Sequence, residues 1–152
     1  NALEQPQVCV HRDYHSRNLL ISNNNAASPG ILDFQDAVSG PITYDLVSLI
    51  KDCYIKWPRQ QVLNWAENYA AQCVGAGLLT EVQRTQFIKW FDLMGVQRHL
   101  KASGIFARLS IRDGKDGYLK DIPRTLSYIT ELKGEYAELG ELITLIEKYL
   151  VG

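Results

Sequence analysis

The chain has 152 residues, enough for one domain with a sizeable core. Its 16 Lys plus Arg balance 17 Asp plus Glu, for a formal charge of −1, so the basic surplus of a nucleic-acid binder is absent. The apolar runs are far shorter than a bilayer requires, and no charged-then-apolar leader opens the sequence, so neither a membrane span nor a leader is expected.

Asn1 is not a natural start, and the strand-like run Val8-Cys9-Val10 begins almost at once, so the chain is expected to be part of a longer product. Gln7 to His11, Leu19 to Ser22 and Gly30 to Asp33 are short β-prone runs separated by polar loops, one of them Ser22-Asn23-Asn24-Asn25. They predict a small hairpin-like sheet whose loops face water. From Thr43 the period becomes helical. Leu46, Val47, Leu49, Ile50, Cys53, Tyr54 and Trp57 form one apolar stripe, with Thr43 as N-cap and Trp57-Pro58 as the stop. A second stripe runs from Val62 to Cys73 and ends near Gly75 and Gly77. Thr80 and Gln83 have capping-box spacing before a third helix through Phe87, Ile88, Phe91 and Met94, weakened at Gly95 and interrupted at Gly104. Ile122-Pro123 opens a further helix, and Leu139 to Leu150 carries the last. The expected fold class is mostly α (α+β): one lobe over residues 1–152, with a small β element near its N-terminus and no repeat or second domain.

Cys9, Cys53 and Cys73 form no Cys-x-x-Cys pair, so neither a zinc site nor a disulfide framework is supported. Each is expected as a small core residue, and free thiols suit the reducing cytoplasm. Trp57, Trp65 and Trp90 fall on helical stripes and are expected in the core rather than as sugar platforms.

The chemistry concentrates between the first strands. His11-Arg12-Asp13-Tyr14-His15-Ser16-Arg17-Asn18 matches the pattern His-Arg-Asp, four residues, Asn of a phosphotransfer loop. A hydroxyl attacking a γ-phosphoryl group needs a proton acceptor, the role expected of Asp13. Asn18, five residues on, returns a side-chain oxygen of the kind Mg²⁺ prefers. Asp33 follows Asp13 by 20 residues at the end of an apolar strand, in Asp33-Phe34-Gln35-Asp36, and is the second expected metal ligand. A lone loop Asp is ordinarily a turn former or cap, so it is the joint pattern that argues for catalysis. His15 and Arg17 are candidates for phosphate or loop contacts, and Asp36 for an acid beside the metal; the plain alternative for each is a solvated loop residue. His11 is expected as a hydrogen-bonded scaffold for the loop. Asp45 is expected in structural support, either at a helix N-terminus or as an anchor for the loop backbone.

His11 to Asn18, Ile31-Leu32-Asp33-Phe34, Gly40-Pro41 and Tyr44-Asp45-Leu46 together resemble the C-terminal lobe of the aminoglycoside phosphotransferase and choline kinase-like family. Leu32 to Val38, Met94 to Lys101, and Gly104 to Leu109 with Arg112-Asp113-Gly114 look more narrowly like bacterial N-acetylmuramate/N-acetylglucosamine anomeric kinases of cell-wall recycling. The resemblance implies ATP-dependent phosphorylation of the C1 hydroxyl of an N-acetylated amino sugar, with Mg²⁺ and ATP as cofactors and no nucleic-acid or membrane partner. It also implies a nucleotide-binding lobe before the catalytic loop, which these residues do not contain, so the chain alone is expected to be an inactive fragment. Arg98, His99, Lys101, Arg108 and Arg112 form a basic group in the helical part. Arg98, His99 and Arg108 are candidates for contact with the carboxylate of a muramic-type sugar or with phosphate, for which Arg forks are suited; the alternative is a solvated face paired with nearby acids. Competing readings are an aminoglycoside, choline or amino-alcohol kinase lobe, whose cationic acceptors would call for acidic residues, and a non-catalytic kinase-like binding module.

Overall fold

The computed structural model describes residues 1–21 and 29–150. The Ser22 to Asn25 loop expected from the sequence lies outside the described residues. Two short antiparallel ribbons are formed. Strand β1 (Gln7–Val10) pairs with β4 (Val38–Pro41), and β2 (Leu19–Leu20) pairs with β3 (Gly30–Ile31). β4 was not foreseen, because Val38-Ser39-Gly40-Pro41 carries the two residues that most weaken a strand. Its partner explains it. Gly40 lies opposite Val8, and a Cβ at position 40 would stand 3.1 Å from a Val10 methyl, so the close approach favours glycine here.

The helices are α1 (Tyr44–Ile50), α2 (Arg59–Gly75), α3 (Glu81–Asp113), α4 (Ile122–Thr130) and α5 (Gly140–Leu150). The fold is thus mostly α with a small β element near its N-terminus. The chain divides into two compact units: residues 1–52 with 57–94, and residues 53–56 with 95–152.

The first unit is built on a core of Ile42, Val47, Val62, Ala66, Phe87 and Phe91, all essentially withdrawn from solvent. Each such large side chain contributes about 1.5–3 kcal/mol by leaving water. α2 ends in a Schellman closure: Leu78 N–H donates to the Cys73 carbonyl and Gly77 N–H to that of Val74, with Gly77 at φ 71°. The Thr80–Gln83 box forms at the start of α3, where Thr80 N–H donates to Gln83 Oε1 at 2.9 Å and Gln83 N–H to Thr80 Oγ1 at 3.2 Å.

α1 differs from expectation at both ends. Thr43 occupies the N-cap position but makes no side-chain cap bond; its hydroxyl donates instead to Gln5 Oε1 at 2.6 Å. The helix also stops at Ile50, although the apolar stripe continues to Trp57. Lys51 turns inward and its ammonium reaches Asp92 at 2.7 Å, over the Phe91 ring. Arg59 completes the cluster, with Nη2 at 2.9 Å from the fully buried Asp92. Burial opposes the charged form of Asp92, but hydrogen bonds from Arg59 and Lys51 and their charges outweigh it and hold the carboxyl below its usual range.

In the second unit α4 packs on α5, and Ile129 of α4, Leu132 just after it, and Ile143 and Ile146 of α5 are buried. α4 also grips the 53–56 segment: Tyr128 donates its hydroxyl to the Ile55 carbonyl at 2.9 Å, and Arg124 Nη1 donates to the Tyr54 carbonyl. These tertiary bonds account for the missing helical turns after Ile50. α3 is continuous through Gly95 and Gly104, where interruption was expected. Gly95 and the neighbouring Val96 are buried, so packing offsets the roughly 1 kcal/mol that an interior glycine costs.

Trp90 is buried, whereas Trp57 is 42% exposed and meets Trp65 edge-on at 5.4 Å. Of the cysteines only Cys73 is buried; Cys53 is intermediate and Cys9 exposed, correcting the expectation of three core residues. Cys9 alternates with buried Val10 on β1 and so takes the outward face of a two-stranded ribbon. No described helix is long and apolar enough to cross a membrane.

Candidate active site

The His11–Asn18 loop leaves β1 and returns as β2, and Asp33 follows β3, so strand pairing within each ribbon brings distant sequence together. Val10 pairs with Val38 and Leu19 with Ile31. Beyond the β2–β3 ladder, Leu32 N–H donates to the Asn18 carbonyl at 3.0 Å. His11 Nε2 lies 2.8 Å from the Leu32 carbonyl. A carbonyl only accepts, so Nε2 carries the proton of that bond. Two residues of the loop are therefore tied to the residue that precedes Asp33.

Within the loop, Asn18 donates Nδ2–H to the Asp13 carbonyl at 2.9 Å, which makes Oδ1 the end of the amide suited to a cation. Asn18 N–H donates to the His15 carbonyl at 2.9 Å, closing a short 3₁₀ turn over Ser16–Asn18. Asp13, Asn18 and Asp33 are exposed or half-exposed on these linked segments. Gln35 donates Nε2–H to Asp33 Oδ1 at 2.5 Å, and Ala37 N–H closes a turn on the Phe34 carbonyl.

Arg12 (φ 79°) and Asp33 (φ 64°) are the non-glycine residues with positive φ among those described. Left-handed backbone at a side-chain-bearing residue costs on the order of 1–3 kcal/mol and persists only where surroundings over-determine it. At Arg12 the restraint is visible. Asp45, in the first turn of α1, accepts the His11 N–H at 2.6 Å and the Arg12 N–H at 3.1 Å. A second carboxylate, buried Asp52 just beyond α1, accepts the Ser16 hydroxyl at 2.7 Å. A cavity of about 400 Å³ lies beside the loop, lined by Cys9, His11, Tyr14, Phe34 and Asp45 among others.

The other candidates are distributed as follows. His15 is half-buried and Arg17 exposed within the loop, and Asp36 is exposed in the turn after Phe34. Arg98, His99 and Arg108 lie on the part of α3 that belongs to the second unit. Arg108 is exposed and Arg98 half-buried, whereas His99 is 2% exposed and stacks on Tyr128 at 4.6 Å. Arg112 pairs with Asp113 on the helix surface.

The tie from Asp52 to Ser16 was not anticipated. Its one sequence signal is the pair Lys51-Asp52 interrupting an apolar stripe, since charges carried into a core must find partners. Among the described residues no group of three or more His, Cys, Asp and Glu side chains is placed to hold a metal by itself. The Asn18 and Asp33 oxygens are nevertheless the hard donors that Mg²⁺ takes, usually together with waters and substrate phosphates.

The chain is 51% identical over 150 residues to the N-acetylmuramate/N-acetylglucosamine kinase of Pseudomonas putida, covering 97% of the chain and 43% of that protein. It is 49% identical over 150 residues to the protein of the same name from Neisseria meningitidis serogroup B, covering 99% of the chain and 44% of that protein. A more distant namesake from Caulobacter vibrioides is 37% identical over 147 residues, 94% of the chain and 38% of that protein. The chain thus spans less than half the length of these curated relatives. Residues 1–78, which hold every element of the loop site, match the family described as the phosphotransferase enzyme family, APH, and the chain belongs to that family.

Proposed function

We propose that this chain is the C-terminal catalytic and acceptor-binding lobe of an ATP-dependent sugar kinase, acting on the anomeric hydroxyl of an N-acetylated amino sugar. What supports the proposal is that the segments carrying Asp13, Asn18 and Asp33 are linked to one another by the Asn18–Asp13, Leu32–Asn18 and His11–Leu32 hydrogen bonds. The names of relatives up to 51% identical supply the substrate class.

In this reading the Asp13 carboxylate orients the acceptor hydroxyl and takes its proton as the γ-phosphoryl group is transferred. Asn18 Oδ1 and the Asp33 carboxylate would hold Mg²⁺, which would neutralise charge on the nucleotide phosphates. The Gln35–Asp33 hydrogen bond fixes one carboxylate oxygen of Asp33 and so orients the other. His15 and Arg17 would contact phosphate or steady the loop, and Asp36 would serve as an acid beside the metal. Arg98 and Arg108 bind an acceptor carboxylate. The nucleotide-covering lobe is supplied by the remainder of a longer protein, and the exposed apolar side chains of Leu20, Ile31 and Phe34 are the surface it would cover.

The test is a substrate panel on the full-length protein, measuring ADP release and the position of the new phosphate. N-Acetylmuramate and N-acetylglucosamine should be turned over at C1. Turnover of choline or an aminoglycoside with no sugar activity would replace the sugar reading, and no turnover of any acceptor would favour a binding module.

A further inference from the structure

We propose that Asp52 is a positioning residue for the catalytic loop, setting through Ser16 the turn that presents Asn18. This rests on the sugar-kinase reading for its kinetic consequence, although the tether itself is a feature of the fold.

The loop is held by two carboxylates that flank one short helix. Asp45 stands in the first turn of α1 and takes the backbone N–H groups of His11 and Arg12, at the loop's beginning. Asp52 lies seven residues further on, just past the helix end, and takes the Ser16 hydroxyl at 2.7 Å, at the loop's far side. Seven helical residues span about 10 Å, so α1 acts as a spacer that fixes the two holding points at a set separation. Asp13 lies between the two held points, and Asn18 two residues beyond the second.

Asp52 is itself well fixed. It is 3% exposed, and the preceding residue, Lys51, is locked to the buried Asp92 at 2.7 Å. The carboxylate is therefore delivered from a rigid wall of the first unit to an exposed serine, a direction of support that suits positioning of the serine's segment. Ser16 opens the 3₁₀ turn in which Asn18 N–H bonds the His15 carbonyl, and Asn18 Nδ2 then bonds the Asp13 carbonyl. Releasing Ser16 loosens that turn, and with it the placement of the Asn18 amide oxygen. Outer partners of this kind typically change activity by about 10–100-fold when removed.

The experiment uses the full-length protein with Ser16→Ala, Ser16→Thr, Asp52→Ala, Asp52→Asn and the double variant Ser16→Ala/Asp52→Ala. Ser16 is exposed, so Ser16→Ala tests the tether without opening the core. Amide hydrogen exchange of the 15–19 segment is measured without metal or nucleotide, alongside kcat, nucleotide KM and melting temperature. The expected result for Ser16→Ala is faster exchange at Asn18 and a kcat lower by about 10–100-fold. Nucleotide KM should stay within about twofold, and the protein should remain cooperatively folded with a lowered melting temperature, because a hydrogen bond to a buried carboxylate is removed. Ser16→Thr and Asp52→Asn keep a donor and an acceptor oxygen and should restore most of the turnover. The double variant should be no slower than Asp52→Ala, because Asp52→Ala already removes both bonds that the carboxylate takes from Ser16, from its N–H at 3.4 Å and from its hydroxyl at 2.7 Å. Unchanged exchange and kcat in Ser16→Ala, or losses that multiply in the double variant, overturn the proposal. If the unaltered protein phosphorylates no acceptor, the exchange measurement still decides: faster exchange in Ser16→Ala retains the tether while the kinase reading fails, and unchanged exchange removes both.

Discussion

Asp45 accepts the backbone N–H of Arg12 at 3.1 Å, and Arg12 is held at φ 79°, where a side-chain-bearing residue is strained. The same carboxylate takes the His11 N–H at 2.6 Å, so one side chain from α1 holds the two residues immediately before Asp13. Replacing Asp45 by Asn turns an acceptor into a partial donor facing two N–H groups. Asp45→Asn in the full-length protein should therefore lower kcat by about 10–100-fold. It should also cost about 1.5–3 kcal/mol of stability, the scale of a hydrogen bond to a charged group. Steady-state kinetics and urea melts check this, and normal turnover would show that the loop keeps its shape unaided.

Asp13 is the proposed proton acceptor. Asp13→Asn keeps its shape while removing basicity and charge, and general-base assistance is typically worth ~10²–10⁴ in rate. Turnover at saturating sugar should fall by that factor, with nucleotide affinity within about twofold. Near-normal turnover would return Asp13 to a loop-forming role.

The Lys51–Asp92–Arg59 cluster makes a stability prediction with a sign. The Asp92 carboxyl is held below its usual range, so its stabilisation is fully present above the unfolded value of about 4 and is lost as pH falls through the lower folded value. Asp92→Asn leaves Lys51 buried against a neutral partner and should destabilise by about 3–5 kcal/mol at neutral pH. The difference from the unaltered protein should shrink below about pH 4. Urea unfolding at pH 7 and pH 3 measures both, and a pH-independent difference would show that packing, rather than charge, is what the substitution disturbs.

Arg108 and His99 share a helix but differ in setting: Arg108 is exposed, and His99 is buried against Tyr128 at 4.6 Å. Arg108→Ala should raise KM for N-acetylmuramate about tenfold, as loss of a charge-assisted hydrogen bond would, and leave N-acetylglucosamine, which lacks the carboxylate, unaffected. His99→Ala should instead lower stability by about 1–3 kcal/mol with both KM values unchanged. Equal effects of Arg108→Ala on the two sugars would argue for a solvated helix face.

What the sequence settled by itself was local in chain and chemistry. The Thr80–Gln83 box and the closure at Gly77 bond groups within six residues of one another, so spacing alone announces them. The bond that closes the His11–Asn18 loop was legible for a related reason: Asp13 and Asn18 sit five residues apart, and Asn18 Nδ2–H bonds the Asp13 carbonyl. The tertiary structure decided whatever depends on a distant partner. β4 exists because β1 lies beside it, not because Val38-Ser39-Gly40-Pro41 favours extension. α1 stops at Ile50 because Lys51 finds Asp92 and the following residues find Arg124 and Tyr128. Cys9 is exposed because only one face of its ribbon is covered. The positive φ of Arg12 and the tether of Ser16 are set by carboxylates 33 and 36 residues away. Periodicity registers what a residue prefers near its own position, but a buried charge or a strained backbone is fixed by partners that only the folded chain brings within hydrogen-bonding distance.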